Sequence, residues 1–154
     1  MAENNKNPKI TKKIKESKVP FTNVDGSSYL KKQPSWRFAK NKNHNFDNWK
    51  ILNQTQEKIN DIIDSLISFE GMTWDSIMKA SGGRKNGTNH HWINKDKLCS
   101  EAQEYMEKFQ LDDEIFSLRL NGQNRLFGQI ENGVFIIHWY DATHEICPSL
   151  KKHT

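Results

Sequence analysis

Residues 114–148 read EIFSLRLNGQNRLFGQIENGVFIIHWYDATHEICP, and this stretch decides the fold. Asn132-Gly133 lies between two runs of alternating character. It is the strongest short hairpin signal, because both residue types tolerate the positive φ that a two-residue turn demands. Fixing the turn fixes the register: Glu131 faces Val134, Gln129 faces Ile136, Phe127 faces His138 and Arg125 faces Tyr140. On the other face Ile130 meets Phe135, Gly128 meets Ile137 and Leu126 meets Trp139. Side chains alternate along a strand, so the second set makes an apolar face to be buried. The first makes a polar, basic-aromatic face carrying Arg125, Gln129, His138 and Tyr140. The expected unit is a meander of three or four short antiparallel strands.

Outward from the meander, Ser100 is placed to cap a helix over EAQEYMEKF, with Ala102, Tyr105, Met106 and Phe109 on one side and Asp112-Asp113 breaking it. Thr73 caps a short helix, TWDSIMKA, stopped by Ser81-Gly82-Gly83. Asp47 is read as the cap of a longer helix from Asn48 to Phe69, with Ile59, Ile62, Ile63, Leu66 and Ile67 at helical spacing and Gly71 at its end. Between the second and third helices, SGGRKNGTNHHW reads as a loop. Upstream, residues 35–39 (SWRFA) form a candidate first strand and 25–28 (DGSS) a turn. Residues 1–20 are rich in Lys and Asn with no sustained period, the composition of a disordered arm. The domain reading is a basic arm over 1–28 and one α+β domain over 29–154. Helices pack on one face of a small antiparallel sheet, leaving the Arg125/His138/Tyr140 face open.

At 154 residues the chain suits one domain, and 34% hydrophobic content with a mean hydropathy of −0.88 implies a small core. No apolar run approaches the ~20 residues of a membrane span, and no apolar segment follows the first lysines as a secretory signal would. Cys99 and Cys147 lack metal-type spacing and read as reduced thiols of a cytoplasmic protein. The net charge of +4 is unevenly spread: residues 1–45 hold eleven Lys/Arg against three Asp/Glu, whereas 46–114 hold eight against thirteen. A basic arm that includes Lys12 and Lys13 attracts polyanions through counterion release. A solvated tail is the plainer alternative.

The order of elements and the run SLRLNGQNRLFGQIENGVFIIHWYDATHEI resemble the RelE/ParE superfamily of small bacterial toxins. Arg125-Leu126 stands where that family has Arg-Leu, with Asn124 in place of the usual aromatic, and His138, Tyr140 and His144 fall in the family's C-terminal zone. The ending WYDATHEICPS also looks like the W-x-D-x-x-H-E-x-x-P-S close of a set of small bacterial proteins. The resemblance implies a RelE-like fold. It also implies either metal-free cleavage of mRNA, often on the ribosome, or ParE-like inhibition of a topoisomerase. A shared fold does not choose between them. RNA or the ribosome and a protein antitoxin are the partners it implies.

Metal-free RNA cleavage needs a base for the 2′-hydroxyl, a cation for the phosphorane and an acid for the leaving oxygen. Arg125 suits the cation, His138 and His144 suit proton transfer, and Tyr140 suits substrate positioning. Arg119 is a further catalytic candidate whose face depends on how the Asn121–Asn124 loop sets the first strand. Arg84, Lys85, His90, His91 and Trp92 form a candidate RNA-contacting loop, with Trp92 available for stacking. Each has a structural alternative. Arg125 pairs with Glu131 or Asp141, His138 packs in the sheet, Tyr140 caps its edge, and Asp141 caps the following turn rather than orienting His144. His90, His91, Asp141 and His144 lack zinc-ligand spacing, so neither metal nor cofactor is assigned. A non-catalytic module that holds nucleic acid or a protein on the same scaffold is the competing reading.

Overall fold

The structure, a computed structural model, describes residues 29–40, 47–80 and 89–148. The basic arm over 1–28, with Lys12 and Lys13, lies outside the described residues, as do Arg84 and Lys85.

Among the described residues the elements run β1 (Ser35–Phe38), α1 (Gln56–Glu70), α2 (Trp74–Lys79), β2 (His91–Asn94), α3 (Ser100–Lys108), β3 (Glu114–Arg119), β4 (Arg125–Glu131) and β5 (Val134–Asp141). The five strands form one sheet in the order β1-β5-β4-β3-β2. The fold is α+β as expected, but the sheet is mixed: β1 runs parallel to β5, pairing Ser35 with Val134 through Phe38 with Ile137. A strand also stands where a loop was expected. The segment HWIN pairs antiparallel with β3, His91 opposite Ser117 and Asn94 opposite Glu114.

The hairpin turn forms as its sequence demands, with φ of 51° at Asn132 and 89° at Gly133. The β4–β5 register matches the expected one from Glu131↔Val134 back to Gly128↔Ile137, and then it slips. Beyond the slip, Phe127 pairs with Trp139, Leu126 with Tyr140 and Arg125 with Asp141, so His138 is the extra residue of a β-bulge. A Cβ at Gly128 would collide with the Ile136 carbonyl oxygen and lie 2.8 Å from the Phe135 ring. Only glycine lets the two strands approach this closely.

The slip changes which residues share a face. Leu126, Phe135, Ile137 and Tyr140 now lie together with Phe116 and Leu118, packed against Ile62 and Leu66 of α1 and Trp74 and Ile77 of α2. Phe127 and Trp139 lie on the opposite face with Ile93 and Ile115, covered by Ala102, Tyr105 and Met106 of α3, by Trp49 and by Ile146. Helices therefore cover both faces, not one, and the polar face expected to stay open carries a second core. The reason is local. Two hydrophobic faces are needed once the bulge sends Trp139 across the sheet, and each fully buried large side chain contributes about 1.5–3 kcal/mol.

The helices start where hydroxyl caps place them. Thr55 accepts from the Lys58 N–H at 3.3 Å, so α1 begins at Gln56 rather than after Asp47, and 3-10 turns occupy Asp47–Trp49 and Ile51–Asn53. Ile62 and Leu66 are buried, whereas Ile63 and Ile67 face outward. Thr73 caps α2 through the Ser76 N–H at 3.2 Å, as expected. The cap residue of α3 is Cys99 rather than Ser100, and the Cys99 N–H reaches the Ile146 carbonyl at 2.8 Å. That bond ties the turn after β5 to the start of α3. Among the described residues no helix is long and apolar enough to cross a membrane.

Candidate functional site

The residues expected to act together are distributed over both faces. Tyr140 is 1% exposed within the α1/α2 core, where burial, followed by Asp61 and Asp141, pushes its phenol above the ordinary range. It cannot meet a substrate beside Arg125. The cause is the bulge at Gly128, which the alternation rule skipped. His138, at the bulge, points toward α3, where its Nδ1 lies 3.1 Å from the Tyr105 hydroxyl and its ring packs edge-on to Tyr105. His144 sits in the closing turn with a φ of 61°. Asp141 caps that turn: Oδ1 accepts from the Thr143 and Glu145 N–H groups at 3.0 and 3.2 Å, and Oδ2 accepts from Ile146 at 2.8 Å. It is buried at 2% exposure, and its carboxyl oxygens are satisfied by backbone donors.

Arg119 and Arg125 are brought together. The β3–β4 register sets them directly opposite one another, so Arg119 falls on the same face as Arg125, and Asp141 completes the row on β5. Like charges facing across a ladder repel, and both side chains are only partly exposed. Burial and the neighbouring Arg119 lower the pKa of Arg125, while Asp141 and Cys147 raise it. Arg119 donates from Nε to the Gly122 carbonyl at 3.0 Å and from Nη1 to Asn89 Oδ1 at 3.1 Å, both uncharged acceptors. Among the described residues neither guanidinium has a carboxylate within 4.0 Å.

Arg125 Nη1, Ser117 Oγ and Trp139 Nε1, buried on this face, have no hydrogen-bond partner among the described residues. Ser117 and Trp139 occupy one cross-strand row through Phe127, next to the Arg119–Arg125–Asp141 row. All three can donate, and an orphaned buried donor costs about 1–3 kcal/mol. Unmet buried donors of this kind are what a bound acceptor would satisfy. Ser117 and Trp139 carry no sequence signal for this role, because their rows are set by the bulge and by the β3–β4 loop.

The remaining candidates lie around β2. His90 is buried at 5% exposure, stacks edge-on against Phe69 and accepts the Arg119 backbone N–H at Nδ1, 3.0 Å away. Burial, then Arg125, Arg119 and His91, lower its pKa to about 4, so the ring is a neutral structural acceptor. His91 is exposed on the edge strand opposite Ser117, on the arginine face. Trp92 is 38% exposed with its ring 5.2 Å from Phe116, on the α1/α2 side. It is separated from the arginine pair by the sheet. Among the described residues no group of three or more His, Cys, Asp or Glu side chains is arranged to hold a metal ion. No family model, curated protein or solved structure matches the chain.

Proposed function

We propose that this chain is a non-catalytic module that binds nucleic acid through its phosphates, with the Arg119–Arg125 pair as the folded part of the contact. The observation that carries this is two guanidinium groups opposed on one ladder with no carboxylate within ion-pair distance among the described residues. A fold gains nothing from that juxtaposition by itself, whereas a phosphate bridging the pair converts repulsion into two charge-assisted contacts. The surplus of Lys and Arg in residues 1–45 supports the same reading, since it raises affinity for any polyanion. Ribonuclease chemistry would need a proton-transfer group and a positioning group beside Arg125. His138 faces Tyr105 and Tyr140 lies across the sheet, so binding asks less of the geometry than cleavage does.

The test is fluorescence anisotropy of labelled single-stranded RNA and DNA with the full chain, titrated over a range of salt. Wild type should bind with a salt slope that falls by about 1–2 in the Arg119→Gln/Arg125→Gln double variant. The RNA should remain intact on a denaturing gel. An unchanged slope in a folded double variant would sink the proposal. So would RNA cleavage lost with Arg125, which would return the chain to the endoribonuclease class.

A further inference from the structure

The geometry points to a terminal phosphate, the monoester at the end of a nucleic-acid strand, as the group that the Arg119–Arg125 site selects over internal backbone phosphates. This rests on the nucleic-acid reading above and narrows it. Arg125 Nη1 and Ser117 Oγ lie on diagonal neighbours of the β3–β4 ladder and are both buried, so an oxygen that reaches them has to enter the fold rather than lie across it. An internal diester carries two bulky ester substituents and only two free oxygens, which suits a surface contact. A terminal monoester presents three free oxygens on one narrow end and carries about −1.5 to −2 charges near neutral pH. That charge matches two arginines, and the three oxygens match donors arriving from more than one row of the sheet.

The neighbouring acid does not defeat the site. Asp141 is the third member of the arginine row, but its oxygens are held by the N–H groups of Thr143, Glu145 and Ile146 on the side of the closing turn. Its charge partly offsets that of Arg125, whose pKa it raises. The burial that lowers the pKa of Arg125 also marks it as poorly hydrated, and a poorly hydrated guanidinium gains most from an anion. Both arginine side chains remain partly exposed to solvent.

The experiment compares one oligonucleotide sequence in three forms: 5′-phosphate, 3′-phosphate and hydroxyl at both ends. Affinity is measured by anisotropy on the full chain, with thermal melts confirming that each variant is folded. One phosphorylated end should tighten binding by about tenfold or more over the hydroxyl form, and inorganic phosphate in the millimolar range should erase the difference. Arg125→Gln should abolish the preference, and Arg125→Lys, which keeps the charge but not the fork, should restore only part of it. Ser117→Ala should reduce it several-fold. Equal binding of all three forms, weakened together by Arg125→Gln, would overturn the end preference and leave the nucleic-acid reading standing. No binding of any form would overturn both. A preference that survives Arg125→Gln in folded protein would place end recognition elsewhere and overturn the assignment of this site.

Discussion

The two faces of the sheet are both closed by helices, yet they treat polar atoms differently. On the α1/α2 face the largest buried side chain, Trp74, donates from its indole to the Gly133 carbonyl at 2.8 Å, and His90 accepts the Arg119 N–H at 3.0 Å. On the α3 face Trp139 is as deeply buried, but its indole N–H, the Ser117 hydroxyl and Arg125 Nη1 are left without partners among the described residues. The first face is finished by folding. The second leaves these donors unmet among the described residues. Apolar area gives each face its cohesion, and polar satisfaction tells which of them is structural throughout.

The largest effect should come from the residue that separates the faces. Gly128→Ala drives a methyl into the Ile136 carbonyl, a backbone contact that cannot step aside without undoing the bulge. A loss of about 3 kcal/mol or more is expected, read as a drop in the denaturation midpoint. The variant should also change the near-ultraviolet signal of Trp139, because removing the bulge returns that ring to the other face. A nearly wild-type midpoint would mean that the close approach at Gly128 is not needed to divide the cores.

That residue also marks where the sequence stopped being readable. The turn at Asn132-Gly133 and four pairs above it followed from local chemistry, since positive φ and alternation act within a few residues. The reading failed at the one strand-interior glycine, a known sign of a bulge, and every pair beyond it was displaced by one. Strict alternation thus puts Tyr140 beside Arg125 and Trp139 on the wrong side. The strands β1 and β2 are short edge strands whose pairing depends on distant partners, so period and propensity say little about them. Arg119 and Arg125 are both candidates in the sequence, but their opposition depends on the geometry of the 120–124 connection. There the Leu120 N–H reaches the Asn124 carbonyl at 3.0 Å, a closure that no turn dipeptide announces.

The next effect concerns pH and belongs to the satisfied face. His90 in the folded protein has a pKa of about 4 against 6.5 for the free side chain. A depressed histidine is neutral when folded, so its contribution is complete above pH 6.5. As pH falls from 6.5 toward 4 the unfolded chain takes up a proton that the folded chain refuses, and stability declines. Solvent screening reduces the loss to about 2 kcal/mol over that window. Protonation would also remove the acceptor for the Arg119 N–H. Urea midpoints at pH 7 and pH 4.5 should show the decline, and His90→Gln should remove much of it. Equal pH dependence in the variant would assign the effect to other groups.

The faces can be compared most directly through their tryptophans, since Trp74 and Trp139 are both 0% exposed. Trp74→Phe removes indole volume and also orphans the Gly133 carbonyl, whereas Trp139→Phe removes similar volume and an N–H that has no partner among the described residues. The first should cost about 1–2 kcal/mol more than the second. Equal costs in paired melts would show that the hydrogen bond on the α1/α2 face contributes little, and the contrast between the faces would narrow to charge alone.

The smallest effect should have the opposite sign. Ser117→Ala deletes a fully buried hydroxyl with no partner among the described residues and leaves a methyl among Phe127 and the α3 core. Removing an orphaned polar group relieves its desolvation cost, so the ligand-free protein should gain about 0.5–1 kcal/mol, a rise of a few degrees in Tm. The same substitution should weaken binding of a phosphorylated oligonucleotide. Stability up and binding down from a single oxygen is the signature of a group kept for a ligand. A loss of stability instead would show that the hydroxyl is satisfied within the fold, and Ser117 would then belong with the finished face.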